Sequence, residues 1–429
     1  MVPRWWAGDA SQPRRYLQLN VGLLCAVGLQ PLGGGRRWLA PLLWAALAAH
    51  NAAQLAHLYA SWGDMAAIAS AVPLASLIFG GVFRVTLYMA LRDKFASNVS
   101  QVGEWFVAQS PLRGLGPMRS RLLLSRLLLA AFALSAPPAV FLWAAYPLMA
   151  EGRELLAPAL FPFSIDSPLV YYAVYVYQCT CLILSAYIVL TTDMLMATMI
   201  HLSSGQFAVL SDMVRCSGRL AVGRRGAGQP EVPTMEAALA YCVQFHERLL
   251  RLVADLESVN WFSMAFNFGV QLVILSFLAY EALTSTEAED VSKTVKNVTY
   301  LAVAVMQLFL LCSSSDDLMA AQLEVGQAAY ESQWVGSTRS SQRCLWMMVM
   351  RARRIQRMTA GKVIDINLVL FTEMEWQDSG RQSGFRSCVE DGLGQLTGSS
   401  DASLGNTIVA PDSDTLMLAD IGAVPGFEG

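Results

Sequence analysis

Charge is what this chain has least of. Asp, Glu, Lys and Arg make up 15% of its 429 residues, against roughly 25% in soluble domains. Hydrophobic residues make up 55%, and the mean hydropathy is +0.42. The missing charge leaves long apolar runs. These exclude an ordinary soluble globule and point to an all-α, polytopic membrane protein whose first partner is the lipid bilayer. No nucleic-acid partner is expected.

Enzyme signatures are absent too. His246-Glu247 lacks a second His at zincin spacing, and Gly33-Gly34-Gly35 runs into Arg36-Arg37-Trp38 rather than Lys-Ser/Thr. The GxG at Gly226 and Gly228 meets Pro230, and no Ser sits in a GxSxG turn. The eight Cys form no CxxC pair and several lie inside apolar runs, so they read as small core residues. No catalysis, cofactor or metal is expected.

What is present is a series of spans. Apolar segments at 38–60, 65–91, 121–149, 169–191, 261–282 and 297–315 each approach the ~20 residues that a helix needs to cross hydrocarbon. A partial seventh occupies 363–376. Before them, Arg14 and Arg15 lead into the half-apolar run Tyr16–Leu32. Its Gln18, Asn20 and Gln30, and the lack of a small-x-small site, favour a short interfacial or re-entrant helix over a signal peptide.

Basic residues orient the chain. Segment 1–37 carries Arg4, Arg14, Arg15, Arg36 and Arg37, and loop 61–64 carries none. Loop 92–120 has Arg92, Lys94, Arg113 and Arg119; loop 150–168 has only Arg153. Six basic residues fall in 192–260, two in 283–296 and seven in 316–362. The alternation places the N-terminus in the cytoplasm, the reverse of a G-protein-coupled receptor. Residues 192–215, 235–259 and 316–350 read as helices continuing below the membrane, joined in part by the Gly- and Pro-rich linker Gly218–Pro233. They predict a cytoplasmic anchor subdomain from 192–260 and 316–362. The tail 377–429, rich in Gly, Ser and Asp, is expected to be disordered.

Few residues inside the spans invite chemistry. His50, Gln54 and His57 share a face of the first span, and interhelical hydrogen bonding is the preferred reading over a proton path. Arg84 is expected to snorkel to the cytoplasmic surface, and Asp193 to lie solvated past span four. Aromatics crowd the outer halves: Trp143 and Tyr146 on span three, Tyr172 and Tyr175 on span four, Tyr300 on span six. Interface belt or core is the plainer reading, but together they could line an apolar pocket for a small volatile ligand. Asn297-Val298-Thr299 is a sequon on the outer side, so near the membrane that poor use is expected; Asn98-Val99-Ser100 should be silent.

Met347–Leu370 (MMVMRARRIQRMTAGKVIDINLVL) resembles the stretch that leads into the seventh span of insect odorant receptors. Ala329–Trp334 resembles that family's Leu-Tyr-Glu-Ser-Asp-Trp element, and Phe161-Pro162-Phe163, Ser167-Pro168 and Tyr175–Gln178 its second outer loop and fourth span. His246–Leu250 is similar to the helix before its fifth span, so the likeness runs over 14–374. It implies an odorant-binding subunit of a ligand-gated, non-selective cation channel, a hetero-tetramer with a coreceptor in the plasma membrane of olfactory sensory neurons. It also implies a ligand among spans two, three, four and six, which makes Trp143, Tyr146, Tyr172, Tyr175 and Tyr300 its candidate contacts. A gustatory receptor is the alternative, disfavoured by the absence of a Thr-Tyr…Gln-Phe ending.

The resemblance stops at Phe371-Thr372. Glu373, Glu375 and Asp378 follow, and Asp365 stands within the apolar run, each a cost of roughly 2.5–3.5 kcal/mol at mid-membrane. The seventh helix is therefore expected not to cross. A read-through terminus is preferred over a true truncated isoform, and either could yield a non-conducting subunit.

Overall fold

A long run of residues without charge and without frequent helix breakers satisfies its backbone only as helix when water is excluded. The computed structural model follows this rule almost throughout. It describes residues 14–29, 38–108, 116–149, 155–222, 235–284 and 291–371. The expectations for 1–13, for most of the Gly-Pro linker and for the tail 377–429 lie outside these residues.

The described helices are α1 (Arg14–Ala26), α2 (Leu39–Ala60), α3 (Met65–Ala90), α4 (Arg92–Ala108), α5 (Gly116–Met149), α6 (Pro168–Val222), α7 (Met235–Thr284), α8 (Val291–Glu331) and α9 (Arg339–Ala352). The six segments expected to span coincide, to within a residue at their ends, with parts of α2, α3, α5, α6, α7 and α8. Five stretches, within α3, α5, α6, α7 and α8, are long and apolar enough to cross a membrane. In α2 the apolar character is diluted by His50, Asn51, Gln54 and His57. The chain is a polytopic helical membrane protein.

Three helices far exceed a span. At 1.5 Å per residue, the 55 residues of α6 reach about 80 Å, the 50 of α7 about 75 Å and the 41 of α8 about 60 Å. Their surplus lengths gather at one end of the bundle around a core of Phe207, Leu210, Val214, Leu239, Phe245, Leu249, Leu318 and Val325, capped by Leu345 and Met348 of α9. Arg215 ties α6 to α8 by ion pairs to Glu324 (3.1 Å) and Glu331 (2.8 Å). The helix expected over 316–350 breaks between Ser332 and Thr338, and Thr338 then caps α9 by accepting from Ser341 N.

The seventh span does not begin at Val363. Thr359–Ala360 and Ile364–Asp365 pair as an antiparallel hairpin. Gly361 (φ 67°) and Lys362 (φ 60°) supply the two left-handed positions of a type I′ turn, so Thr-Ala-Gly-Lys is a turn motif. Gly361 N donates to Trp261 O (3.1 Å), and Lys362 lies over the Trp261 ring (5.2 Å), which docks the hairpin on α7. Asp365 is paired with Arg357 at the hairpin's base. The membrane cost expected of Asp365 therefore does not arise. A single helical turn at 368–371 follows, and 372–376 lie outside the described residues.

At the opposite end, residues 155–167 fold over the helix mouths. Gln178 holds this segment in place with both amide atoms, donating to Ala157 O (3.0 Å) and accepting from Ala157 N (3.3 Å). Leu160 N donates to Ala53 O (3.0 Å). Helix α1 packs on α6: Asn20 Nδ2 donates to Thr198 Oγ1 (2.7 Å) and Tyr187 OH to Leu23 O (2.8 Å). Close approach of α3 and α6 needs Gly81, where a Cβ would lie 2.9 Å from Ser185 Oγ and 3.3 Å from Ser185 Cα.

Candidate functional site

The largest change from the sequence reading concerns Arg84 and Asp193. Neither reaches solvent. Arg84 is 7% exposed and points into the bundle, where Nη2 donates to Asp193 Oδ1 (2.9 Å) and to Asn267 Oδ1 (2.9 Å). Asp193, likewise buried, also accepts from Gln307 Nε2 (2.5 Å). Gln307 Oε1 accepts from Gln271 Nε2 (2.6 Å). A charged pair taken out of water survives only when partnered and further hydrogen-bonded, and α3, α6, α7 and α8 each contribute a member.

This polar cluster forms the floor of a cavity. Arg84, Asn267, Gln271 and Gln307 line one end; the walls are Leu74, Val140, Leu182, Ile274 and Val303, with Trp143 and Tyr300 further along. The cavity volume is about 70 Å³. A largely apolar lining with a few convergent polar groups is the usual make-up of a ligand site.

The five aromatic candidates separate. Trp143 and Tyr300 line the cavity and meet edge to face, with ring centroids 5.7 Å apart. Tyr300 OH reaches Pro73 O (3.4 Å). Tyr175 belongs to the same buried cluster but stands behind the wall, its hydroxyl donating to Ala144 O. Tyr146 is half-buried and shares Lys296 with Trp143: Nζ lies 4.2 Å from the Tyr146 ring and 4.3 Å from that of Trp143. Tyr172 is 61% exposed and lies edge to face on Tyr171, away from the cavity. Asn297, the sequon asparagine, is only 7% exposed. A glycan there needs the start of α8 to move.

The polar stripe of α2 does not bond between helices as expected. His50 stands edge-on to Tyr177 (5.6 Å), Gln54 is buried without a hydrogen-bond partner, and His57 meets Ser61 within its own chain segment. The interhelical bond comes from Asn51, whose Nδ2 donates to Ala75 O (3.1 Å). Asn267, Gln271 and Gln307 went unread in the sequence. The available signal was their position within apolar runs, with Asn267 and Gln271 four apart on one face of α7. Among the described residues no group of three or more His, Cys, Asp or Glu could hold a metal.

The chain is 24% identical to odorant receptor Or2 of Anopheles gambiae over 345 residues, 76% of this chain and 85% of that receptor. It is 26% identical to odorant receptor 67c of Drosophila melanogaster over 31% of this chain and 32% of that one. It is 22% identical to the odorant receptor coreceptor of Ooceraea biroi over 36% of this chain and 32% of that one. Against several such relatives the chain thus spans less than half of their length. The fold matches the solved structure of the insect olfactory receptor OR5 from Machilis hrabei, with TM-score 0.75 at 14% identity, covering 91% of this chain and all of that one. A second structure of that receptor, in complex with eugenol, matches with TM-score 0.74 at 14% identity, over 86% of this chain and 96% of that one. The model of the 7tm odorant receptor family matches residues 64–375, and the chain belongs to that family.

Proposed function

We propose that this odorant receptor is the odorant-binding subunit of a heteromeric, ligand-gated, non-selective cation channel. Its place is the plasma membrane of olfactory sensory neurons, with the N-terminus in the cytoplasm. The single observation that carries the reading is the apolar cavity closed at one end by the Arg84–Asp193 cluster and lined further along by Trp143 and Tyr300. A volatile odorant is the ligand class that suits it. Trp143 and Tyr300 are the direct contacts. Tyr175 and Tyr146 shape the wall from behind, the latter through Lys296.

The partner is the odorant receptor coreceptor, in a hetero-tetramer. The likeness to coreceptor sequences supports a shared mode of assembly. So do the exposed apolar side chains of Tyr330 on α8, Val335 in the turn that follows, and Trp346, Met347 and Met350 on α9. The basic run Arg351–Arg357 then lies on the cytoplasmic side.

Co-expression with a coreceptor and recording of odorant-evoked current is the test. Current through the complex supports the channel reading. Silence with this chain, but current once the residues after Thr372 are replaced by an apolar helix of about a dozen residues, assigns odorant binding to the chain and denies it the pore lining. Silence in both cases, with the chain at the cell surface, overturns the reading.

A further inference from the structure

The cavity floor carries an acceptor that the fold leaves unused, and the direction of the hydrogen bonds around it is forced. The Asp193 carboxylate can only accept, so Gln307 must turn its Nε2 toward it. Gln307 Oε1 then faces Gln271 and can only accept, which obliges Gln271 to present its own Nε2. The Arg84 guanidinium can only donate, and it fixes Asn267 with Oδ1 toward Arg84. The chain of constraints ends at Gln271 Oε1, which is buried in a side chain 5% exposed, lines the cavity and has no partner. A buried acceptor left unmade is costly, and the side chain that carries it lines the cavity.

From this we infer that the cavity selects neutral molecules bearing a hydroxyl, alcohols or phenols, whose O–H donates to Gln271 Oε1 while the hydrocarbon body packs along Leu74, Val140 and Ile274. The inference rests on the reading of this cavity as the odorant site. Other donors and acceptors fit worse. An ammonium would find no free counter-charge, because Asp193 is already paired with Arg84. A carboxylate, an aldehyde or an ether offers Gln271 Oε1 only lone pairs. At the other end of the cavity Trp143 Nε1 is a buried donor without a partner. Tyr300, which touches Trp143, and Gln307, which touches Gln271, stand seven residues apart on α8, a rise of about 10 Å. The two unpaired groups therefore sit at separate levels, and a hydroxyl at the floor leaves Trp143 free for a more distant acceptor.

Constitutional isomers isolate the hydroxyl. Heptan-1-ol and methyl hexyl ether share one formula, as do 2-phenylethanol and benzyl methyl ether, and only the alcohols can donate. Binding is measured to the purified full-length chain by isothermal calorimetry in detergent, so that conduction is not required. Each alcohol is expected to bind about tenfold tighter than its ether, the equivalent of one buried neutral hydrogen bond. In Gln271→Met the alcohol should lose that preference while the ether keeps its affinity. Should Q271M fail to fold, the isomer pairs on the unaltered chain still decide the matter. Equal affinities within a pair overturn the inference, mean that water satisfies Gln271 Oε1, and leave the odorant-site reading standing. No binding by any member of either pair, or by heptanal, overturns both.

Discussion

Arg84 on α3 and Asp193 on α6 form an ion pair of 2.9 Å, both side chains buried inside the helical bundle. Leaving either charge alone in that environment costs far more than the pair contributes, typically 3–5 kcal/mol or roughly that order. Asp193→Leu should therefore lower the thermal stability of the detergent-purified protein sharply. The double change Arg84→Leu with Asp193→Leu should recover much of the loss. A double variant as unstable as the sum of the singles would show that the two side chains act separately.

The contact at Gly81 predicts a second pair effect. Gly81→Ala places a methyl 2.9 Å from Ser185 Oγ, and separating α3 from α6 should cost about 1–3 kcal/mol. Ser185→Gly removes the obstructing Cβ and Oγ, so the double variant should melt closer to the parent. Melting curves of the three variants check this.

Among the aromatic residues, position relative to the cavity sets the expected effect. Trp143→Ala and Tyr300→Ala should each raise the half-maximal odorant concentration about tenfold or more, the loss of roughly 1.4 kcal/mol or more of contact. Tyr172→Ala should leave the dose response within twofold, because its ring faces outward. An effect of Tyr172→Ala equal to that of Trp143→Ala would move the site.

His246 predicts a pH effect in the long-helix core. It is buried against Phe207, with Glu247, Arg251 and Arg351 around the adjoining groove. Burial, helped by the Arg351 charge, holds its pKa at about 4 rather than 6.5. Between those values the unfolded chain binds more protons than the folded one. Stability is complete above pH 6.5 and is lost as pH falls toward 4, on the order of 3 kcal/mol. Melting temperatures from pH 7.5 to 4.5 should fall in the parent and fall less in His246→Phe.

The sequon offers a negative expectation. With Asn297 buried, Asn297→Gln should leave electrophoretic mobility unchanged, and glycosidase treatment of the parent should shift nothing that depends on this residue.

Helical character and the long helices at one end were legible because they depend on local composition and period. Tyr171, Tyr175 and Gln178 lie within about 60° of one another around the axis and face the core, while Tyr172 lies about 60° from Tyr175 on the opposite side, and that offset turns it outward. Arg84 and Asp193 were misread for another reason. Each looks like a charge near a span end until the other is seen, and 109 positions separate them. Only the packing of α3 on α6 brings them together. Asn267, Gln271 and Gln307 are three neutral residues whose chemistry lies in their order of donors and acceptors, and no spacing rule conveys that order. The hairpin at Gly361 was hidden because an apolar run beside arginines reads as a span, whereas two successive left-handed residues are a property of backbone angles.

Helix α6 runs without an internal proline from the cavity wall at Leu182 and Val189, past Asp193, to Arg215 and Val222. From Asp193 to Val222 the helix rises about 44 Å. Treated as a rigid rod pivoting at the ion pair, it would act as a lever. A tilt of about 1° at the wall, as small as one methyl group could cause, swings the far end by roughly 0.8 Å over that length. At Arg215, about 33 Å along, the same tilt amounts to about 0.6 Å at the clamp to Glu324 and Glu331.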